Sequence, residues 1–522
     1  MTLLPHHRID ADVAVIGAGF SGALAAIALS ARGQRVVLIE RGRHPRFAIG
    51  ESTTPLTNLL LEEFATKYEL PQLSSFSKWG TWQRDHADIA CGLKRGFTFL
   101  FHRPGEVFAD TASHDRQLLV AASPHDHVAD THWYRPEFDQ ALVEEATRAG
   151  AIYIDETAIA EVRYEAGRMR LEGGRHGRSV VIDAGFVIDA GGARGLMSST
   201  LGGGSAPLRW LPPTQGLYSH FTDVAEWASV APTDGTPPYP PDAAALHHVF
   251  PGGWIWMLRF NNGITSAGAA LTDAVAAEIG ASDGEPAWNR LLERLPSVRE
   301  QFRDARPTLP FIHAPRVAYR SRQVAGPGWA MLPSAAGVID PLLSTGFPLT
   351  LLGLMRLLNI LESSSPGAAR NAALADYTNH TQDELDITEQ LVAALYANMD
   401  TPAIFTRLSL LYFAAASFSE AARRLGRPHL APGFLLHAHP RFGDELRACA
   451  REATKRPTGD ARQDLFHRID RAIIPFDVAG FADRSRQNWY PALASDLLSN
   501  AAKLDASTEE AQALLAKCGF IA

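Results

Sequence analysis

The chain has 522 residues, 46% of them hydrophobic, and a formal net charge of −8. Its length exceeds what one hydrophobic core supports, so two or three packed domains are expected, and a mildly acidic chain without long Lys/Arg runs offers no footprint for nucleic acid. The opening residues lack the apolar core of a signal peptide and no apolar run approaches the ~18 residues of a membrane span, so a cytoplasmic protein with no membrane partner is expected.

In chain order, residues 12–16 (DVAVI) predict a short buried strand, because β-branched residues dominate and glycines follow at once. Residues 21–32 are small and helix-favouring, and Gly33 stops them. A second apolar run, Val36 to Ile39, ends in Glu40 and completes a β-α-β unit. Residues 133–150 predict an amphipathic helix closed by Gly150. Strands are expected at 151–155 and 159–164, then a Gly/Arg-rich hairpin at 173–178 and a buried strand at 186–190. The stretch 206–245 is rich in Pro, Gly and Asp without periodicity and predicts long loops. Strands resume at 246–271, and from about 350 the pattern is helical to the end. There, residues 403–417 suit core packing better than a lid. Cys91, Cys449 and Cys518 are far apart, and His437 and His439 lack the spacing of a metal site, so no metal is assigned.

Gly17, Gly19 and Gly22 form GxGxxG directly after the first strand. The first permits a tight turn, the second a close approach of backbone to a pyrophosphate, and the third tight packing of helix on strand. Phosphates would then face free N–H groups at the helix N-terminus, with Phe20 and Ser21 inside the turn. Glu40 suits the ribose hydroxyls of adenosine, and a carboxylate there disfavours a 2′-phosphate. Arg41 follows it as a further candidate contact. FAD rather than NAD depends on later segments. VIDAGG at 187–192, with Asp189 and Gly191, is a strand ending in small residues that suit passage beside the cofactor. Arg135 either contacts the cofactor's polar edge or is an ordinary surface arginine.

These residues resemble the flavin-dependent halogenases of the phenol and pyrrole type and their relatives, the geranylgeranyl reductases. The likeness runs from about residue 10 to 365. It is carried by VIGAGFSGALAA, IGESTTP at 49–55, KRGFTF at 94–99, WYRPEFDQAL at 133–142, WIWMLRF at 254–260 and DPLLSTG at 340–346. It implies an α/β fold with three parts: an FAD-binding Rossmann-like (βαβ) domain from 10–80, 115–205 and 325–365, a β-sheet substrate domain from 81–114 and 206–324, and a C-terminal helical region, 366–522. It also implies that a separate NAD(P)H flavin reductase delivers reduced FAD, that oxygen and chloride or bromide are consumed, and that hypohalous acid travels along a tunnel to a lysine.

Lys94 matches that lysine. Its ammonium can donate a hydrogen bond to hypohalous acid and its free amine can act as a nucleophile, whereas Arg95 beside it fits an ordinary surface pair. Glu51 matches the acidic residue beside the isoalloxazine, with Ser52 next to it; both also suit the cap of a helix starting at Thr54–Pro55. Asp340, Pro341 and Gly346 match cofactor contacts. Ser344, Thr345 and Gly346 match the halide site, where consecutive N–H groups form either an anion nest or a plain helix cap. Trp254 and Trp256 share one face of a strand and either wall off the flavin or fill the core.

Three departures qualify the likeness. Leu343 stands where tryptophan halogenases carry glutamate, which narrows the substrate. Pro333, Ser334 and Ala335 replace GDA, removing a polar contact worth ~1–2 kcal/mol, so loose FAD binding is expected. Arg259 replaces a proline, a cation suited to an acidic substrate or carrier group. The leading expectation is halogenation of an electron-rich aromatic, free or attached to a carrier protein. The alternatives are a monooxygenase, epoxidase or reductase of the same fold acting on an apolar substrate, and a flavin-binding partner without catalysis.

Overall fold

Strand His7–Ile16 changes character halfway along. Ile9 and Ala11 are buried while Arg8 and Asp10 are exposed, but Val13, Ala14 and Val15 are all buried. The alternating first half hid the strand's true length from the sequence reading. Its second half runs between parallel neighbours, Val36–Ile39 on one side and Arg178–Asp189 on the other, where both faces are covered. The computed structural model describes residues 7–193, 195–232 and 235–520, and the first six residues of the opening segment lie outside them.

The parallel core of the first sheet is ordered Ile152–Ile154, Val36–Ile39, His7–Ile16, Arg178–Asp189, Trp329–Met331. Helix Phe20–Ala31 packs on it almost entirely buried. The antiparallel strands Thr157–Glu165 and Arg168–Arg175 extend it, the latter turning through His176 and Gly177 into Arg178–Asp189. The strand expected at 186–190 is thus the end of one of 12 residues.

A second sheet of nine strands includes the order Thr214–Thr222, Thr265–Thr272, Gly253–Arg259, Ala245–Phe250, Gly96–Phe101, Gln117–Ala121, Trp489–Tyr490. Period-two alternation divides its side chains cleanly. Phe97, Phe99, Phe101, Trp254 and Trp256 join the core shared with the first sheet and the C-terminal helices. Leu100, Leu246, Ile255 and Met257 join a separate core under helices Asp273–Ile279, Glu285–Glu293 and Pro296–Gln301. The two tryptophans do share one face.

Several sequence expectations are corrected. The long loops expected at 206–245 contain strand Thr214–Thr222, whose Gly216 and central polar residues mask its alternation. The boundary at 115 falls inside the second sheet, because Gln117–Ala121 is hydrogen-bonded to Gly96–Phe101. The helix expected from 133 begins at Arg135, with Pro136 in its first turn, because Trp133 belongs to strand Asp130–Trp133. The C-terminal region is not wholly helical: Trp489–Tyr490 pairs with Gln117–Ala121. Its long helices, Ala368–Ala397 and Pro402–Arg424, bury Leu391, Phe405, Leu408 and Leu411 in the shared core. No helix among the described residues is long and apolar enough to cross a membrane.

Helix Phe20–Ala31 lies so close to its strand that a Cβ on Gly22 would sit 1.9 Å from the Gly17 carbonyl oxygen. Gly22→Ala is expected to cost roughly 1–3 kcal/mol through overpacking. A thermal melt checks this, and an unchanged Tm would show that the helix moves off the sheet without penalty.

Candidate active site

Two helix N-termini meet at this site. Phe20 opens helix Phe20–Ala31 and Phe347 lies in the first turn of helix Gly346–Ser363; their rings are 4.8 Å apart, edge to face. Trp133 packs on both, at 5.6 and 4.6 Å. The positive ends of two helix dipoles therefore converge, a setting for anions. Before the second helix, Ser344 holds a left-handed φ of +53° and Thr345 returns to φ −72°, ψ −22°. That alternation turns successive N–H groups to one concave side.

At the first helix the Ala18 N–H donates to Glu40 Oε2 (3.1 Å), and the Gly42 N–H to Oε1 (2.9 Å). Burial works to raise the Glu40 pKa, but the Arg46 charge and these two N–H groups overcome it and hold the carboxylate below its ordinary value. Arg46, whose Nη2 lies 3.0 Å from Glu40, is the cation here, while Arg41 is exposed. Sequence reasoning missed Arg46 because a turn through Pro45 separates it from the β-α-β unit. Arg135 is only 5% exposed, so the surface reading is overturned. It grips Asp139 with two bonds of 2.7 Å, donates to the Gly50 carbonyl (2.8 Å) and lies 5.2 Å over the Phe20 ring.

The GES loop lies along strand Asp130–Trp133. Trp133 donates to the Glu51 carbonyl (2.7 Å), Ser52 bridges His132, and Thr53 Oγ1 donates to the Thr131 carbonyl. The cap of helix Pro55–Lys67 is Thr54, not Glu51 or Ser52. Both are thereby released for other work. Glu51 is buried, with Oε1 2.9 Å from His220 Nε2 and Oε2 without a partner among the described residues. His220 lies on the strand the sequence reading took for loop, which is why it was missed.

Strand Cys91–Lys94 pairs with the other edge of Asp130–Trp133, with Lys94 opposite Asp130. Lys94 is 0% exposed. Its ammonium donates to Ser52 Oγ (2.9 Å) and to the Thr53 carbonyl, and lies 3.8 Å from the Phe97 ring centroid. Burial pushes the amine down to about 7, opposed by the Asp130 charge. The surface reading is overturned for both: Arg95, its side chain 11% exposed, turns away from Lys94 to pair with Asp126 and donates to the Pro124 carbonyl. Beyond Phe97 a cavity of about 170 Å³ is lined by Phe97, Val120, Asp130, Pro348, Phe413 and Phe434, among others.

Other expected contacts are committed elsewhere. Asp189 accepts from the Gly191 and Met197 N–H groups at 2.8 and 2.9 Å and so shapes its loop. Asp340 accepts from the Leu342 N–H (3.0 Å) and the Tyr396 hydroxyl (2.8 Å), which itself accepts from Trp254 Nε1. Pro341 contributes its carbonyl to the Ser344 N–H. Trp256 Nε1 donates to Ser266 Oγ. Arg259 does not await an acidic substrate: it pairs with Asp242 at 2.9 Å and donates to the Val224 and Ala225 carbonyls.

These residues fit an FAD. An open helix N-terminus suits its phosphates, an ionised Glu40 its ribose, and the orphaned Glu51 oxygen calls for a donor.

Residues 12–339 match the model of the FAD dependent oxidoreductase family. A monodechloroaminopyrrolnitrin halogenase from Pseudomonas fluorescens is 29% identical over 65% of this chain and 59% of its own. A tetracycline 7-halogenase from Kitasatospora aureofaciens is 28% identical over 64% and 60%. A chlorinase of a pyrrole-2-carbonyl peptidyl-carrier protein, also from Pseudomonas fluorescens, is 25% identical over 66% and 73%. The chain thus spans about three fifths of the length of the first two relatives. Among solved structures, halogenase PltM in complex with phloroglucinol and FAD superposes with a TM-score of 0.81 at 24% identity, covering 91% of this chain and 99% of that one.

The Lys94 proton leaves near pH 7 in the folded chain but near the ordinary value of 10.5 when unfolded. Between those values the unfolded state binds more protons, so the contribution of Lys94 to stability rises with pH. Urea melts of the parent and Lys94→Met are expected to show the parent gaining on the variant from pH 7 to 10. A pH-independent difference would contradict the buried, depressed amine.

Proposed function

The chain belongs to the FAD dependent oxidoreductase family, and from that premise we propose that it is a flavin-dependent halogenase of electron-rich aromatics. One observation carries this reading: a fully buried lysine fastened to the GES loop, on the same strand ladder as the Trp133 that packs on both helix N-termini. When bound, FAD supplies the two-electron chemistry that turns oxygen and halide into hypohalous acid.

The chain's own residues do the rest. The N–H groups of Gly19, Phe20 and Ser21 would hold the pyrophosphate and Glu40 the ribose hydroxyls, while Arg135, bonded to Asp139 and the Gly50 carbonyl, fixes the GES loop beside them. The N–H groups of Thr345 and Gly346 hold the halide, while that of Ser344 is bonded to the Pro341 carbonyl and fixes the turn. Glu51, oriented by His220, would offer its unpaired oxygen to the flavin. Lys94 receives hypohalous acid, donating a hydrogen bond to its oxygen as an ammonium or attacking its halogen as a free amine. A pKa near 7 keeps both forms populated at neutral pH. The apolar cavity beyond Phe97 would hold the substrate. One GxGxxG segment supports delivery of reduced FAD by a separate reductase, and the chlorinase relative supports a carrier-bound substrate as readily as a free one.

Supplied with a flavin reductase, NADH, FAD, oxygen and bromide, the protein is expected to give monobrominated product from a panel of phenols and pyrroles, read by mass spectrometry. Lys94→Ala is expected to lose at least about a hundredfold in rate while still taking up FAD. Hydroxylated product without halogen would overturn the reading.

A further inference from the structure

We propose that Lys78 is a specificity-determining residue of the cavity, and that the aromatic substrate carries a carboxylate which pairs with its ammonium. The proposal rests on the halogenase reading and adds a residue and a substrate class to it.

Lys78 precedes helix Trp79–Asp85 and lines the cavity together with Phe97 and Asp130. It is half-buried, and its ammonium has neither a hydrogen bond nor an ion-pair partner among the described residues. The other charged groups of the wall have partners. Glu420 lies 2.7 Å from Arg424 Nε, and Arg424 Nη1 lies 3.0 Å from Glu62. Asp130 accepts from Asn58 at 2.7 Å and faces Lys94 across the paired strands. A plain counter-ion on a flexible four-carbon stem would settle on one of these carboxylates; Lys78 touches none of them.

The ammonium is not turned out to bulk water either. Burial raises the Asp130 carboxyl and the Cys518 thiol, and the Lys78 charge counters both rises. Asp130 and Cys518 both line the cavity, so a charge felt by each of them stands over it.

Size and wall chemistry define the rest of the ligand. The cavity measures about 170 Å³, and one of about 150 Å³ holds a benzene, so one ring with a short arm fills it. Phe97 and Phe413, their rings 5.1 Å apart, stand in the wall with Phe434 and Phe481 and suit the faces and edges of that ring. A lone ammonium is a point charge that balances one carboxylate. A phosphate calls for a fork of N–H groups, and the Arg424 guanidinium in the wall is committed to Glu62 and Glu420. A ring acid therefore lies with its ring among the phenylalanines and its carboxylate at Lys78.

Calorimetric binding to the full-length, FAD-loaded protein tests this with 3-aminobenzoate and its methyl ester, which differ in charge and little in shape. At low ionic strength the parent is expected to bind the acid at least about tenfold more tightly than the ester, an advantage that added salt erodes. Lys78→Met is expected to lose that advantage while binding the ester within about twofold of the parent, and Lys78→Arg to keep most of it. In turnover the loss is expected in KM for the acid rather than in kcat. Equal binding of acid and ester by the parent, undiminished acid binding in Lys78→Met, or an equal loss of acid and ester in that variant overturns the proposal. A parent that prefers the acid through Lys78 but halogenates neither it nor any phenol or pyrrole would instead sink the halogenase reading and leave Lys78 as the anchor of a carboxylate site.

Discussion

The approach of Phe20 to Phe347 is the contact on which the site depends. It brings together two helix N-termini, each with a positive end equivalent to roughly half a charge. Like ends do not meet without compensation, and the chain supplies it locally. Glu40 and Asp139 stand beside Arg46 and Arg135, and Glu51 lies on the adjoining loop, buried with one oxygen free. The cations are matched by the chain's own carboxylates, whereas the helix N–H groups keep their capacity for an external anion.

Around that junction, backbone pairing does the positioning. Strand Asp130–Trp133 carries the GES loop on one edge and Cys91–Lys94 on the other, so one short ladder fixes the relative places of Glu51, Lys94 and Asp130. A lysine buried this deeply loses hydration, and the hydroxyl, carbonyl and aromatic face offered to it return only part of that loss. The remainder appears as a depressed pKa, which is what gives the amine two usable forms.

The C-terminal helices brace the same junction. Trp254 of the second sheet donates to Tyr396, Tyr396 donates to Asp340, and Asp340 receives the Leu342 N–H. Tyr412 adds a bond to the Leu343 carbonyl at 2.9 Å. These bonds tie the sheet, two helices and the DPLLSTG loop together directly before Ser344, where the backbone takes its strained left-handed turn. Asp340, expected to meet the cofactor, instead holds the loop that presents the N–H groups.

The β-α-β unit and its glycines were legible from sequence because they are local: a run of apolar residues, a turn with positive φ, and a helix of small residues need only near neighbours. Lys94, GES and DPLLSTG were also legible, but only by likeness, since nothing in their own spacing shows that they meet. His220, Arg46, Asp139 and Asp130 carried no such signal. His220 lay in a stretch whose glycine and polar residues obscured a strand, and Asp130 looked like any carboxylate before a tryptophan. By itself the sequence determined the nucleotide-binding turn and the alternation that sends Trp254 and Trp256 to one face, because both follow from backbone dihedrals and side-chain period. Only the tertiary structure decided which charges are buried, since burial and partnership come from segments far apart in the chain, packed so closely that water no longer screens them.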